Sequence, residues 1–532
     1  MYNNYTPLQQ RQLALQEYSN TQSTYLLVCA PARSTALKAT LTDQLHRKFR
    51  LVDRLDGELT ASVDGVLLAA EDVELMSTAL MYFAKALQDG ADYVACNAVF
   101  GFGGATALYQ SQPLQAQNRC AVVSRTLLER CRAAAHDPEN VPELLALAAQ
   151  LCTKPTLIPQ ALLHYERGIC AEDAFSAHGK RAFIMSHVLD MTGAPIVLVS
   201  AVPVLRSMGY EVVVLGPEDG GSMPLFLEAG ATVITRKGCV QSPLLWGLAL
   251  CADLVLANTV VEARAVRALS GARVPVLWWL HDAFAGYPHI AHQIPRKLGE
   301  NIRLYSVGSH AANAMHSVRP EFNIRPLIYG LPDYAAEKFS HYDLSYAGGR
   351  PLFATVGSFE NRKGQDIFCK AIRLLPPETM KKASFLFVGK AAEAEMMDAV
   401  RSLTADCPDN VFYVKRLTRD EIKSLMAQCT GLVCASRDDP MPTFVTEGLI
   451  FGKPSIVSEH TGTAGLITEG VDGFVYEDDD PEKLAERLAW AIEHPEKLAA
   501  MRPACRELYE SHYSKQAFSD SLQQAVKELT GE

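Results

Sequence analysis

Residues 431–448 read GLVCASRDDPMPTFVTEG. The first five form a short apolar run of the kind that makes a buried strand, and the run from Thr443 onward has the character of a helix. Between them lies a polar loop, and Pro442 suits a first helical turn because it has no N–H to leave unsatisfied. A helix that starts at the end of a buried strand presents backbone donors and a positive dipole to an anion. Asp439 lies in the loop, and Glu447 lies eight residues further on, inside the helix. A carboxylate at either place can accept hydrogen bonds from two vicinal hydroxyls, as on a ribose or a sugar ring. Read alone, the stretch fits equally well a capped helix with solvated acids, because helix starts attract Asp and Glu.

The runs on either side set the fold class. Pro351–Val356 (PLFATV), Ser384–Val388 (SFLFV), Val411–Val414 (VFYV), Gly431–Ala435, Ser455–Ser458 (SIVS) and Gly473–Tyr476 (GFVY) read as strands with helices between them. A second series precedes it: Ala182–Ser186, Glu211–Leu215, Ala231–Ile234, Asp253–Ala257, Val274–Leu280, Arg303–Val307 and Arg325–Tyr329. Nearly continuous apolar strands alternating with helices predict parallel sheets covered on both faces. Two such α/β layers in tandem predict a ligand cleft at the carboxyl ends of their strands.

Three further clusters fall at strand ends. Val356-Gly-Ser-Phe-Glu-Asn-Arg-Lys-Gly364 follows PLFATV and precedes a helix with Ile367, Phe368, Ala371, Ile372 and Leu375 inward. Arg362 and Lys363 there suit a diphosphate leaving group, or simply a solvated basic loop. Thr192-Gly193-Ala194 follows the strand AFIMS, where a glycine lets backbone approach a ligand closely or makes a tight turn. His281-Asp282 directly follows VPVLWWL; a histidine there can bond a sugar hydroxyl, take part in proton transfer, or sit satisfied in the interior.

The chain has 532 residues, a length of about three to four domains. In the first 167 or so, Tyr25–Ala30, Gly65–Ala70 and Tyr93–Asn97 read as strands. Thr35–Phe49 and Val73–Gln88 read as helices, and Pro138–Tyr165 as helical with a short terminal strand. This predicts a further α/β layer. Apolar residues are 48% and charged residues 21%, enough apolar surface to exclude disorder throughout. Fifty Lys+Arg against 60 Asp+Glu give −10, which argues against a general nucleic-acid binder. The 13 Cys include no C-x-x-C pair, so a zinc site is not expected; most suit small core positions in a reducing compartment. MYNNYTPLQQRQ has no signal pattern, and the apolar stretch Leu244–Ala257 is short and carries Asp253, so no membrane span and a cytoplasmic location are expected.

Taken together, the clusters from about Ala182 to Leu529 resemble the retaining GT-B glycosyltransferases of family 4. The stretch GSFENRKGQD is similar to that family's donor-phosphate loop. SRDDPMPTFVTEGLIFGKP is similar to its paired-acid motif, followed by EHTGTAGLI and VDGFVY. The resemblance implies two Rossmann-like domains facing a cleft: an acceptor-side domain over residues 171–343, joined by a C-terminal helix in 510–532, and a donor-side domain over 344–509. It implies that Glu447 holds the nucleotide ribose, that Asp439 faces the transferred sugar, and that Lys363 binds the diphosphate. It places Arg362, Ser358, Gly357, Thr443, Thr463 and Ala464 in the donor site, His281 in the cleft as a catalytic residue beside Asp439 and Lys363, and Thr192 and Gly193 in an acceptor or phosphate loop. Two positions depart from the pattern. Asp439 stands where the first acid is usually Glu, and Ser358 stands where the loop usually carries Arg; Arg362 can supply that charge.

Within residues 1–170, ADYVACN, RCAVVSRTLLER and KPTLIPQALLHYER resemble the latter half of an inverting GT-A (family 2) enzyme. That family binds a divalent metal through Asp-x-Asp, but here Ala69 takes the first Asp position and only Glu71 and Asp72 remain. The implied domain is degenerate, a place for oligomerisation, acceptor docking or a partner glycosyltransferase. The expected activity is metal-independent, retaining transfer from a nucleotide diphosphate sugar to a glycan, glycolipid or glycoprotein hydroxyl, with no cofactor. A nucleotide-sugar epimerase and a non-catalytic scaffold are the alternatives.

Overall fold

Alternating faces of each strand organise the interior. In the computed structural model, Leu26, Val28, Leu67, Ala69, Val94, Cys96 and Val122 share one buried cluster, while Leu27, Cys29, Val66, Leu68, Tyr93, Ala95, Ala121 and Val123 share another. Successive residues point to opposite faces of a pleated strand, so a sheet with two apolar faces must be covered on both sides. The helix Ala79–Gln88 covers one face; Arg125–Ala134 and Val141–Leu151 cover the other. The structure describes residues 23–531 except 31, 33, 56–59, 71–72, 103–105, 111–118, 166–178, 237, 240–248, 408 and 478. The expectations on MYNNYTPLQQRQ, on Glu71 and Asp72, on Glu166 and Arg167, and on residues 244–248 lie outside them.

The chain divides into two compact units, Met1–Val255 and Leu256–Glu532. The first unit carries β1 (Leu26–Cys29), β2 (Phe49–Val52), β3 (Gly65–Ala69), β4 (Glu74–Leu75), β5 (Tyr93–Phe102), β6 (Thr106–Gln110), β7 (Cys120–Ser124), β8 (Pro155–Tyr165), β9 (Lys180–Met185), β10 (Tyr210–Gly216) and β11 (Thr232–Arg236). They lie side by side in the order β9-β10-β11-β6-β5-β7-β3-β1-β2, with β8 beside β5 and β4 beside β8. β1 is parallel to β2 and β3, and β10 is parallel to β9 and β11. The antiparallel pair β6–β11 makes one sheet of what periodicity reads as two segments.

Three expected elements differ. The helix starting at Thr35 ends at Leu41 instead of running to Phe49, and Phe49–Val52 is a strand. Buried Gln44 is the reason: its Nε2 donates to the carbonyls of Leu75 and Met76, and its Oε1 accepts from Leu80 N, so the backbone around it is held for a tertiary partner. Likewise Val73–Gln88 is not one helix. Glu74 and Leu75 pair antiparallel with His164 and Leu163, and the helix begins only at Ala79. Pro138–Tyr165 is a helix over Val141–Leu151 and then an 11-residue strand, β8, paired along β5 across a bulge at Asn97.

In the second unit, β12 (Leu254–Asn258, within which the division falls), β13 (Val276–Leu280), β14 (Ile302–Ser306) and β15 (Ile324–Pro326) are neighbours in that order, and β13–β14–β15 are parallel. The other sheet contains β16 (Leu352–Val356), β17 (Ser384–Val388), β18 (Val411–Val414), β19 (Gly431–Cys434), β20 (Ser455–Ser458) and β21 (Gly473–Tyr476). Its order is β18-β17-β16-β19-β20-β21, and every pair is parallel. Numbered along the chain this is the doubly wound order 3-2-1-4-5-6, whose switch point lies between β16 and β19. Ile367, Phe368, Ala371, Ile372 and Leu375 are buried under the helix Gln365–Leu374, as the spacing predicts. The terminal helix Lys515–Thr530 returns to β13, where the rings of Phe518 and Trp279 stack at 5.6 Å.

Candidate functional site

The loops that leave β16 and β19 meet at the switch point. After Val356 the chain runs through Gly357 and Ser358 into a single turn, Asn361–Lys363. Gly364 ends that turn at φ +62°, and a Cβ there would lie 1.8 Å from the Ala435 carbonyl oxygen. Only glycine permits this approach, so its absence of side chain seats the first loop on the end of β19. Lys363 then lies along Gly357, its Cδ and Cε 3.9 Å from where a Cβ would stand, and its Nζ donates to Asp439 Oδ2 at 2.6 Å.

Asp439 is 4% exposed and is fixed by its own backbone. Its N–H donates to the His460 carbonyl at 3.1 Å, and its carbonyl accepts from Gly462 N at 2.9 Å. Glu447 sits in the helix Thr443–Ile450, for which Pro442 is the N-cap, one position earlier than its chemistry predicts. Glu447 is 8% exposed, and its Oε1 accepts from Arg419 Nη1 at 2.6 Å. Arg419 in turn lies 5.5 Å over the Tyr334 ring and donates to its hydroxyl at 3.3 Å. Burial pulls the Arg419 guanidinium downward, but the Glu447 carboxylate and Tyr334 outweigh it and raise its pKa.

The remaining basic groups of the loop are also engaged. Arg362 Nη2 donates to Glu360 at 3.0 Å, and Ser358 Oγ donates to the same Glu360 oxygen at 2.8 Å. Glu360 thus draws both the position expected to lack charge and the one expected to supply it. Asp366, at the start of the next helix, takes both arms of Arg437 at 2.8 Å. Its burial works to raise the carboxyl, yet Arg437 and Lys370 hold it below the usual carboxylate range.

Asp438, next to Asp439, faces other elements of the second unit. Its Oδ1 accepts from Phe284 N at 3.1 Å and His310 Nε2 at 2.7 Å, and its Oδ2 accepts from Ala285 N at 3.0 Å. Phe284 and Ala285 follow β13, and His310 follows β14. Burial raises the Asp438 carboxyl, but the His310 and backbone hydrogen bonds prevail and hold it low.

Of the residues expected from sequence, the structure brings together Gly357, Ser358, Arg362, Lys363 and Asp439, with Glu447 on the adjoining helix. Thr443 is exposed at the start of that helix. Thr463 is buried, with its hydroxyl 3.1 Å from that of Thr461, and the Ala464 N–H donates to the Thr461 carbonyl. His281 stands just past β13, its ring 4.4 Å from that of Trp279. In the first unit, Thr192 caps the helix Gly193–Ser207, its N–H donates to Asp190 Oδ1, and the space beside Gly193 is open. Sequence reasoning missed Arg419, Asp438 and His310. The visible signals were the second Asp in SRDDP and a histidine just after a strand in LYSVGSH; nothing local marks Arg419.

The family described as Glycosyl-transferase family 4 matches residues 178–314, and the one described as Glycosyl transferases group 1 matches residues 338–508. Residues 178–314 and 338–508 are thus similar to two glycosyltransferase-family domains. Among relatives, an uncharacterized glycosyltransferase of Methanocaldococcus jannaschii is 26% identical over 144 residues, 26% of this chain and 38% of its own length. A glycogen synthase of Pseudomonas syringae pv. syringae is 26% identical over 201 residues, 37% of this chain and 39% of its own. The chain thus spans about two-fifths of the length of these curated relatives. The solved structure of HepE from Anabaena in complex with UDP is 18% identical and superposes with a TM-score of 0.54, covering 65% of this chain and all of that one.

This part of the chain therefore has the GT-B fold, with two Rossmann-like parallel sheets. The loop after β16, the Lys363–Asp439 pair and Glu447 all fall in the group 1 match. No helix among the described residues is long and apolar enough to cross a membrane.

Proposed function

We propose that the chain transfers a sugar from a nucleotide diphosphate sugar to a hydroxyl of a glycan, glycolipid or glycoprotein, with retention at the anomeric carbon. The observation that carries this reading is the Lys363–Asp439 pair at the switch point, with buried Glu447 on the helix that follows. A basic group beside a buried acid suits a ligand that bears both diphosphate and hydroxyls. In the proposed step the bond from the anomeric carbon to the diphosphate oxygen breaks, and a bond to the acceptor oxygen forms on the same face. The acceptor proton passes to the departing phosphate, and a nucleoside diphosphate leaves. Lys363 and Arg362 stabilise the developing negative charge in place of a metal, and no cofactor is required. Exclusion of water protects the donor from hydrolysis.

HepE was solved with UDP, and this supports a uridine nucleotide as the first to test. His281 is assigned a catalytic role, and Thr192 and Gly193 are assigned separately to an acceptor or phosphate loop. The domain division at about 170 and 343, the return of the C-terminal helix to the acceptor-side domain, and a cytoplasmic location complete the reading. Residues 1–170 are taken as a degenerate GT-A-like domain; parallel β1–β3 and Ala69 closing β3 are consistent with this. Its roles are oligomerisation, acceptor docking or contact with a partner glycosyltransferase.

Calorimetric titration of UDP, GDP and ADP without metal tests the donor site, with Glu447→Ala as control. Selective binding of one nucleotide, lost in the variant, is expected. Conversion of the nucleotide sugar without any acceptor points instead to an epimerase, and failure to bind any nucleotide points to a scaffold.

A further inference from the structure

The paired acids leave Asp438 without a task, yet it is among the most heavily bonded carboxylates of the second unit. We propose that Asp438 and His310 are positioning residues that couple the donor-phosphate loop to the loop after β13. This rests on the donor-site reading above.

On one side, Asp438 belongs to the donor loop through its backbone. Its N–H donates to the Arg362 carbonyl at 3.3 Å, its carbonyl accepts from Arg362 Nη1 at 3.3 Å, and the preceding Arg437 N–H donates to the same Arg362 carbonyl at 2.8 Å. Its other neighbour is Asp439, the partner of Lys363. On the other side, its carboxylate takes three donors: the N–H groups of Phe284 and Ala285 and the Nε2–H of His310. A carboxylate only accepts, so His310 must carry its proton on Nε2 in this pair. The His310 ring is buried and lies edge-on to Phe284 at 5.0 Å, which fixes its direction.

The consequence is mechanical. A phosphate that engages Arg362 and Lys363 pulls on the backbone from which the Asp438 carboxylate projects. That carboxylate sets the position of residues 283–286. Donor binding and the order of this loop are therefore one equilibrium, and each changes the other by the same factor. Asn at 438 keeps the shape but replaces one acceptor oxygen with a donor. At least one of the three N–H groups then loses its partner.

Amide hydrogen exchange on the full chain, with and without UDP, tests this. In wild type, the Phe284 and Ala285 amides are protected, and UDP protects them further. Asp438→Asn raises their exchange about tenfold, a change expected for hydrogen bonds to a charged group, and leaves β16–β21 unchanged. His310→Phe, which keeps the ring, does the same, whereas His310→Gln, which keeps a donor, restores protection. The double variant Asp438→Asn/His310→Phe is no worse than Asp438→Asn alone, since both break one interaction. UDP affinity falls in the single variants by the same factor by which the UDP-induced protection of the two amides is lost, as the linkage requires. Wild-type exchange at both amides in Asp438→Asn, additive losses, or UDP binding that leaves the two amides unaffected would each overturn the proposal. If wild type binds none of UDP, GDP and ADP, the donor reading fails instead, and the pair still stands or falls on the ligand-free exchange of the variants.

Discussion

Lys363 Nζ and Asp439 Oδ2 lie 2.6 Å apart although 76 residues separate them in sequence. Both side chains are largely buried, so the pair is shielded from water and salt. Removing one member of such a pair leaves an uncompensated charge on the other.

Lys363→Ala is therefore expected to lower transfer at least about a hundredfold, combining loss of leaving-group stabilisation with an unpaired Asp439. Lys363→Ala/Asp439→Asn separates the two effects, because it removes the stranded charge. Recovery of thermal stability in the double variant assigns the stability loss to the stranded charge, and transfer is read separately in Lys363→Arg, which keeps the charge and should retain more transfer than Lys363→Ala if Lys363 acts on the substrate. Transfer at the wild-type rate in Lys363→Ala would remove it from the site.

Glu447 is held by Arg419 at 2.6 Å through one oxygen. If its carboxylate takes the ribose hydroxyls, wild type should bind UDP about tenfold more tightly than 2′-deoxy-UDP, and Glu447→Ala should lose that preference. Arg419→Ala should weaken both nucleotides alike by a smaller factor, since it frees the acid without removing it. Calorimetry with the two nucleotides reads this directly; an undiminished preference in Glu447→Ala would place the ribose elsewhere.

Glu262 is 1% exposed, neither of its carboxyl oxygens has a hydrogen-bond partner among the described residues, and burial raises its pKa from 4.5 to about 8. The folded chain therefore keeps a proton between these values that the unfolded chain has released. Its contribution to stability is full below pH 4.5 and is lost as pH rises through about 8. Nearby in the chain, Asp282 is lifted by burial, against the Val260 and His281 amides, only to about 6. Glu262→Gln has no such proton to lose. Its melting temperature should gain on that of wild type as pH rises from about 6 to about 8; parallel curves would contradict the buried neutral acid.

Gly364→Ala combines a left-handed φ of +62° with a Cβ only 1.8 Å from the backbone oxygen of Ala435. Neither atom can move without shifting the donor loop. A loss of about 2 kcal/mol or more in unfolding free energy is expected, with Lys363 displaced from Asp439. Denaturant unfolding measures the first effect and UDP titration the second. Alanine tolerated on both counts would mean that the loop does not seat on β19 as described.

Much of this chain was legible from local pattern. The strands of both parallel sheets, the inward face of Gln365–Leu374 and the loops carrying Lys363, Asp439 and Glu447 follow from apolar runs, helical spacing and polar residues at strand ends. The first 170 residues were less legible. Gln44 stops a helix by bonding carbonyls more than thirty residues away, and Glu74–Leu75 becomes a strand only because Leu163–His164 is there to pair with it. Neither partner can be identified from a local window.

Local pattern is enough for the α/β class, the parallel strands and the family resemblance, because periodicity and turn chemistry act over a few residues. Tertiary structure decided which charges are spent on one another. Lys363 with Asp439, Arg419 with Glu447, Arg362 with Glu360 and His310 with Asp438 all depend on where distant loops meet. A hydrogen bond forms only over about 3 Å with proper alignment, and the chain order of the residues does not encode that distance.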